Sequence, residues 1–313
     1  MTLTELRYIV AVARERHFGR AAEKCFVSQP TLSVAVKKLE EELGVALFER
    51  TPSEVAVTPL GERIVAQARR VLEEAATVRE LAKAGKDPLA APLRVGAIYT
   101  VGPYLFPQLI PAAHKRAPKM PLLLQENYTA KLGELLKAGE VDVIVIALPF
   151  ADAGIVTHAL YDEPFRVVLP GEHAWRAKKS IPAAELCAET LLLLGAGNCF
   201  RDQVMQACAR AKRGRSSHIQ QALEGSSLET IRQMVASGVG ITVLPSTAAD
   251  APTAASPLVV TRPFAAPVPS RRVALAWRAS FPRPQAVAAL REAVLACKLP
   301  GVTLLPDARA SGG

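Results

Sequence analysis

The sequence has 313 residues, half of them hydrophobic, which is enough for two or three domains with sizeable cores. No run of about 18 apolar residues appears and the opening MTLTELRYIV is not a basic start followed by an apolar stretch, so we expect a soluble, cytoplasmic protein with no membrane partner. The net charge of +9 is a weak argument for an anionic partner, because only +1 of it lies in the first 90 residues; the five cysteines form no CxxC and no Cys/His cluster, so no metal and no organic cofactor are implied.

From Thr4 to Arg14, Leu6, Ile9, Val10 and Ala13 fall at helical spacing, with Thr4 placed to cap the helix. A short helix fits Gly19 to Cys25. Ser28-Gln29-Pro30-Thr31 opens a third, whose buried stripe is Leu32, Ala35, Val36, Leu39 and Leu43 before Gly44 ends it. Lys37 and Lys38 lie nearer its start, while Glu40, Glu41 and Glu42 crowd its far end. The first turn is therefore polar, free of negative charge and at the positive end of the helix dipole. Such an end can enter a major groove with Gln29, Thr31 and Ser33 reaching base edges or phosphates. A three-helix unit of this kind is also compatible with a small folded domain that binds nothing.

The run SQPTLSVAVKKLEEELGVALFERTPSEVAVTPLGE closely resembles the winged helix-turn-helix of LysR-type transcriptional regulators. The resemblance implies a recognition helix from Ser28 to Leu43, a wing from Val45 to Thr58, and DNA contact by Ser28, Gln29, Pro30, Thr31, Ser33, Lys37 and Arg50. From Pro59 to about Ala84 a long helical pattern follows, with Leu60, Ile64, Ala68, Val71, Ala75, Val78 and Ala82 spaced by three or four. The stripe can lie on its own domain or pair with a partner; we expect a dimerising linker, which would present two recognition helices to a symmetric site.

After Gly85 to Pro92 the pattern alternates between strand and helix. Leu93–Ile98, Leu122–Gln125, Val141–Ile146, Arg166–Leu169, Leu191–Leu194, Ile241–Leu244 and Arg272–Trp277 read as strands, with helices over Tyr104–Arg116, Ala130–Ala138, Leu228–Ala236 and Gln285–Ala296. The segment Leu228 to Pro245 and the element order resemble the LysR-type effector domain. That implies an α/β, periplasmic-binding-protein-like region of two Rossmann-like subdomains with a cleft between them. The expected boundaries are 1–58 for the DNA-binding domain, 59–86 for the linker, 87–165 with 267–300 for subdomain I, 166–266 for subdomain II, and a flexible tail over 301–313.

Cys199 and Cys208 lie nine residues apart in a segment that reads as a helix start after the turn Gly195-Ala196-Gly197, with Asn198 able to cap. Nine helical steps separate the Cα atoms by about 13 Å, whereas a disulfide needs them within about 7 Å. The two thiols can bond only if the helix between them comes apart. The helix dipole and Arg201 favour a thiolate at Cys199, while Asp202 opposes a second negative charge yet can deliver a proton when protonated. Reaction with a peroxide requires a thiolate with access, and Thr100 and Thr129, after the first two strands of the α/β region, are placed to hold the oxygens of such a molecule. Cys25, Cys187 and Cys297 read as buried filler.

The C-x-R-D start with a second cysteine nine positions on resembles the peroxide-sensing OxyR branch of the LysR-type family, and the resemblance runs end to end. It implies that Cys199 is the peroxide-reactive thiol and Cys208 the resolving one, with Thr100, Thr129, Gly197, Asn198, Arg201 and Asp202 around the peroxide. Many members of the branch carry His before the reactive cysteine; Asn198 can cap and donate but cannot take a proton at neutral pH. The basic run Arg210-Lys212-Arg213-Arg215 reads as a solvated face, or as a segment moved when 200–208 refold. The expected function is peroxide-sensing activation of transcription by a homotetramer, with promoter DNA, a thiol reductant and RNA polymerase as partners. The rivals are a LysR-type regulator answering to a metabolite in the cleft, and a thiol peroxidase.

Overall fold

The computed structural model describes residues 1–50, 55–84, 87–211, 222–252 and 256–305. The chain divides into two compact units, one of Met1–Gly85 with Lys137–Gly139 and one of Lys86–Leu136 with Glu140–Gly313.

The first unit is built from α1 (Leu3–Glu15), α2 (Phe18–Lys24), α3 (Gln29–Leu43), the antiparallel pair β1 (Phe48–Arg50) and β2 (Val55–Val57), and α4 (Pro59–Ala84). α1 starts two residues earlier than its apolar spacing suggested. Thr2, not Thr4, is the cap: its side chain accepts from Glu5 N–H while the Glu5 carboxylate accepts from Thr2 N–H, closing a capping box. His17 caps α2, whose bounds shift by one residue from Gly19–Cys25. Ser28 caps α3 by accepting from Thr31 N–H. Leu32, Val36 and Leu39 bury their side chains with Leu6, Ile9, Val12, Ala21 and Leu47, but Ala35 is only half-buried and Leu43, in the last turn before the Gly44 cap, is exposed. Val65 and Ala68 of α4 join this core, while Leu60, Val71 and Val78 of the same helix are exposed.

The second unit contains β3 (Leu93–Ile98), α5 (Gly102–Arg116), β4 (Leu122–Asn127), α6 (Thr129–Lys137), β5 (Val143–Ala147) and the long β6 (Ile155–Pro170). There follow β7 (Leu191–Leu194), α7 (Cys199–Ala211), β8 (Ala222–Gly225), α8 (Leu228–Ala236), β9 (Ile241–Pro245), the short α9 (Ser246–Ala249), β10 (Val259–Pro263), β11 (Ser270–Arg278), α10 (Pro284–Leu295) and β12 (Thr303–Leu304). The strand order is β4-β3-β5-β11-β6-β9-β7-β8, with β3 parallel to β4 and β5, and β7 parallel to β8 and β9. β6 carries the chain across: Ile155–Pro164 pairs with β11, and Phe165–Pro170 pairs with β9 and β10.

Two cores result. One gathers β3, β5, α5, α6 and α10 around Leu93, Leu105, Leu132, Ile144 and Leu290; the other gathers β7, β9, α7 and α8 around Phe165, Leu192, Phe200, Ile231 and Val243. Reading only Arg166–Leu169 as strand missed most of β6. Its run Asp162-Glu163-Pro164 resembles a turn, yet lies in strand because Asp162 and Glu163 stand directly opposite Arg272 and Arg271 of β11. No described helix is long and apolar enough to cross a membrane.

Candidate redox site and nucleic-acid interface

Four buried leucines, Leu191–Leu194, form β7, and the chain then turns through Gly197, whose φ of +89° favours glycine, into α7. Cys199 begins that helix. The Asn198 amide donates to the Gly195 carbonyl (3.1 Å), and the Asn198 carbonyl accepts from Arg201 N–H (3.0 Å). The Arg201 guanidinium donates to the Leu194 carbonyl (2.9 Å), tying the first turn of α7 back onto β7, while Asp202 is exposed.

The half-buried Cys199 packs against the core of β3, β5 and α5, and Thr129 Oγ1 donates to its sulfur at 3.6 Å. Cys208 is only 3% exposed and sits in the other core. Neither is in a disulfide. α7 runs unbroken between them, so nine residues of helix rise hold their Cα atoms about 13 Å apart. Cys187 and Cys297 are buried and Cys25 is half-buried; burial pushes the Cys297 thiol up to about 11.

Thr100 meets a group that the sequence did not single out. Its hydroxyl accepts from Arg271 Nη1 at 2.7 Å and its carbonyl from Arg271 Nη2 at 2.9 Å. The same guanidinium pairs with Glu163 at 2.7 Å, both side chains having no exposed surface, and lies 5.2 Å from the Phe200 ring. Glu163 also accepts from the Thr247 backbone N–H at 3.0 Å and from its hydroxyl. Phe200 packs edge-on against Phe165 at 5.0 Å. The residue after the candidate thiol is thus wedged against a buried ion pair between β6 and β11. Strand alternation carried the signal: Arg271 shares inward parity with Val273, and Glu163 with Tyr161 and Phe165.

Thr100 and Asn198 line one cavity of about 180 Å³ with Tyr99, Glu126, Tyr128, Ser226 and Ser227. Gly102 opens α5 against Glu126; a Cβ there would stand 2.4 Å from a carboxylate oxygen. Burial pushes the Glu126 carboxyl above the usual carboxylate range. Ser227 caps α8 by accepting from Thr230 N–H at 3.1 Å. Among the described residues no cluster of His, Cys, Asp or Glu is arranged to hold a metal ion.

In the first unit Ser28, Gln29, Pro30, Thr31 and Lys37 are exposed along the start of α3, and Ser33 is half-buried. Arg50 ends β1; its side chain, wing residues 51–54, and the basic run beyond Cys208, including the Arg210 side chain, lie outside the described residues.

Residues 3–62 match the bacterial regulatory helix-turn-helix proteins of the lysR family, and residues 86–297 match the LysR substrate binding domain. The chain belongs to the LysR family, in its OxyR branch. The DNA-binding transcriptional dual regulator OxyR of Escherichia coli is 40% identical over 296 residues, covering 95% of each chain. A full-length OxyR of Pseudomonas aeruginosa, solved as a cysteine-to-aspartate variant, is 57% identical, covers 97% of this chain and 98% of its own, and superposes with a TM-score of 0.76. An OxyR of Corynebacterium glutamicum, a cysteine-to-serine variant described as H2O2-bound, is 34% identical over 94% of this chain and 91% of its own, with a TM-score of 0.63. The LysR-family effector region here is thus one in which a cysteine opens a helix between two cores.

Proposed function

We propose that this LysR-family protein is a DNA-binding transcriptional regulator that senses hydrogen peroxide through a reversible Cys199–Cys208 disulfide. The Cys199 thiolate attacks one peroxide oxygen, the O–O bond breaks, and hydroxide leaves with a proton to become water. The sulfur is left as a sulfenic acid. Thr129, bonded to the sulfur, and Thr100, in the adjoining cavity, are the groups that hold the peroxide oxygens, with Gly197, Asn198, Arg201 and Asp202 shaping the turn around them. The Cys208 thiol then condenses with the sulfenic acid, forming the S–S bond and releasing a second water. A cellular thiol reductant returns both sulfurs to the starting state.

The observation that carries this reading is the intact α7 between a thiol on one core and a thiol in the other. About 13 Å must shrink below about 7 Å, so the bond cannot form without unwinding residues 200–208. Unwinding withdraws Phe200 from Phe165 and Arg271, which turns a chemical event into a packing change. We assign the change to the pairing of effector domains in a dimer of dimers, and through it to promoter contact by Ser28, Gln29, Pro30, Thr31, Ser33, Lys37 and Arg50 and to recruitment of RNA polymerase in the cytoplasm.

The test is a nuclease footprint on a bound promoter before and after one equivalent of peroxide. The footprint changes for the natural protein and stays fixed for Cys199→Ser. An identical footprint after full oxidation overturns the coupling. Consumption of one peroxide per chain separates a sensor from a peroxidase, which keeps turning over with reductant present.

A further inference from the structure

The exposed face of α3 carries Gln29, Pro30, Thr31, Val34, Lys37 and Lys38 above the buried Leu32, Val36 and Leu39. Its hydroxyl groups are largely committed. Ser28 Oγ accepts from Thr31 N–H at 3.3 Å and shares a second hydrogen bond with Thr31 Oγ1 at 2.7 Å, so the two side chains together keep one hydroxyl hydrogen for an outside acceptor. Ser33 is half-buried. In the middle of this polar face stands Val34, 68% exposed. A β-branched side chain is a poor occupant of an exposed helical position, where Ala, Lys or Gln would stabilise the helix better. Val34 also lies three residues after Thr31 and three and four before Lys37 and Lys38, and so shares their face. Among the described residues Lys37 pairs with Glu41 at 3.7 Å with both side chains largely exposed, an interaction weak enough to give way to a phosphate.

We infer that Val34 is a base-reading residue that packs on the 5-methyl group of a thymine in the major groove, while Lys37 and Lys38 hold flanking phosphates. The inference rests on the DNA-binding reading above. Among the four bases only thymine presents a methyl group in that groove; cytosine presents an amino donor at its edge. An isopropyl group gains by excluding water from the methyl, and leaves the cytosine amino group without an acceptor, so it favours T·A over C·G at one position. Val34 was neither in the buried stripe nor among the DNA-contacting residues that the sequence pattern put forward, because those were chosen for their polar groups.

The full-length protein is used to select duplexes from a random pool. Each thymine of the selected site is then replaced in turn by deoxyuridine, which removes only the methyl group, and affinity is measured by fluorescence anisotropy. The natural protein should lose about fourfold in affinity per half-site at one symmetry-related position, or roughly fifteenfold when both half-sites are altered, as expected for one methyl withdrawn from apolar contact. The Val34→Ala protein, whose helix is if anything more stable, should bind the thymine and deoxyuridine duplexes alike at that position. Tolerance of deoxyuridine everywhere by the natural protein, or equal losses for both proteins, overturns the assignment and leaves the DNA-binding reading standing. Failure to select any duplex overturns that reading and this inference with it.

Discussion

Replacing Glu163 by Gln should destabilise the effector region more than any surface change. Arg271 and Glu163 bond at 2.7 Å with neither side chain exposed, so solvent does not screen the guanidinium once its partner loses charge. The amide keeps the volume and an acceptor oxygen, and Thr100 still accepts from Arg271, yet the positive charge is left buried without compensation. Breaking one side of such a pair costs about 3–5 kcal/mol. For a unit of this size that corresponds to a fall in melting temperature of roughly 6–20 °C, read by circular dichroism under reducing conditions. The control is the double variant Glu163→Met with Arg271→Met, which removes both charges and should melt near the natural protein or above it. A fall of less than about 2 °C for Glu163→Gln would mean that the pair is not the buried contact described, and the reasoning that ties Phe200 to it would go with it.

Three further outcomes follow from the same geometry. Thr129→Val removes the hydroxyl bonded to Cys199 while keeping its shape, and should slow loss of the Cys199 thiol to peroxide about tenfold in a Cys208→Ser background. An unchanged rate excludes Thr129 from the reaction. Burial raises the Glu126 carboxyl, so its protonated form favours the fold below the ordinary carboxylate value, and that advantage is lost as pH rises through the raised folded value. Glu126→Gln should therefore raise the melting temperature at pH 7 and have no such benefit near pH 4; the opposite trend would show a favourable carboxylate partner. With its thiol at about 11 and its side chain buried, Cys297 should stay unalkylated by iodoacetamide at pH 8 until the protein is denatured, as peptide mapping reports.

Much of the architecture was legible because apolar spacing decides it. β3 (Leu93–Ile98), β7 (Leu191–Leu194) and α8 (Leu228–Ala236) lie where the pattern put them, with Pro92 just before β3, Gly195 just after β7 and Ser227 capping α8. β6 was not legible: Asp162, Glu163 and Pro164 look like a turn until their partners on β11 are known, and those lie more than a hundred residues away. The same distance hid Arg271 from the site, although its inward parity marked it as unusual. Thr129 was legible as a residue after a strand, and the structure sets it on Cys199; Thr100 was legible in the same way, but its engagement by Arg271 depends on long-range pairing. The first cap went to Thr2 rather than Thr4 because Glu5 completes a reciprocal pair only with Thr2.

Whether oxidation and unwinding of α7 are one event is read by treating the reduced protein with one equivalent of peroxide, mapping its disulfides by mass spectrometry, and following amide exchange in residues 199–208. A Cys199–Cys208 bond should form together with loss of protection along that stretch. Both thiols remaining reduced in a folded protein, or the bond forming with the helix still protected, would contradict the coupling.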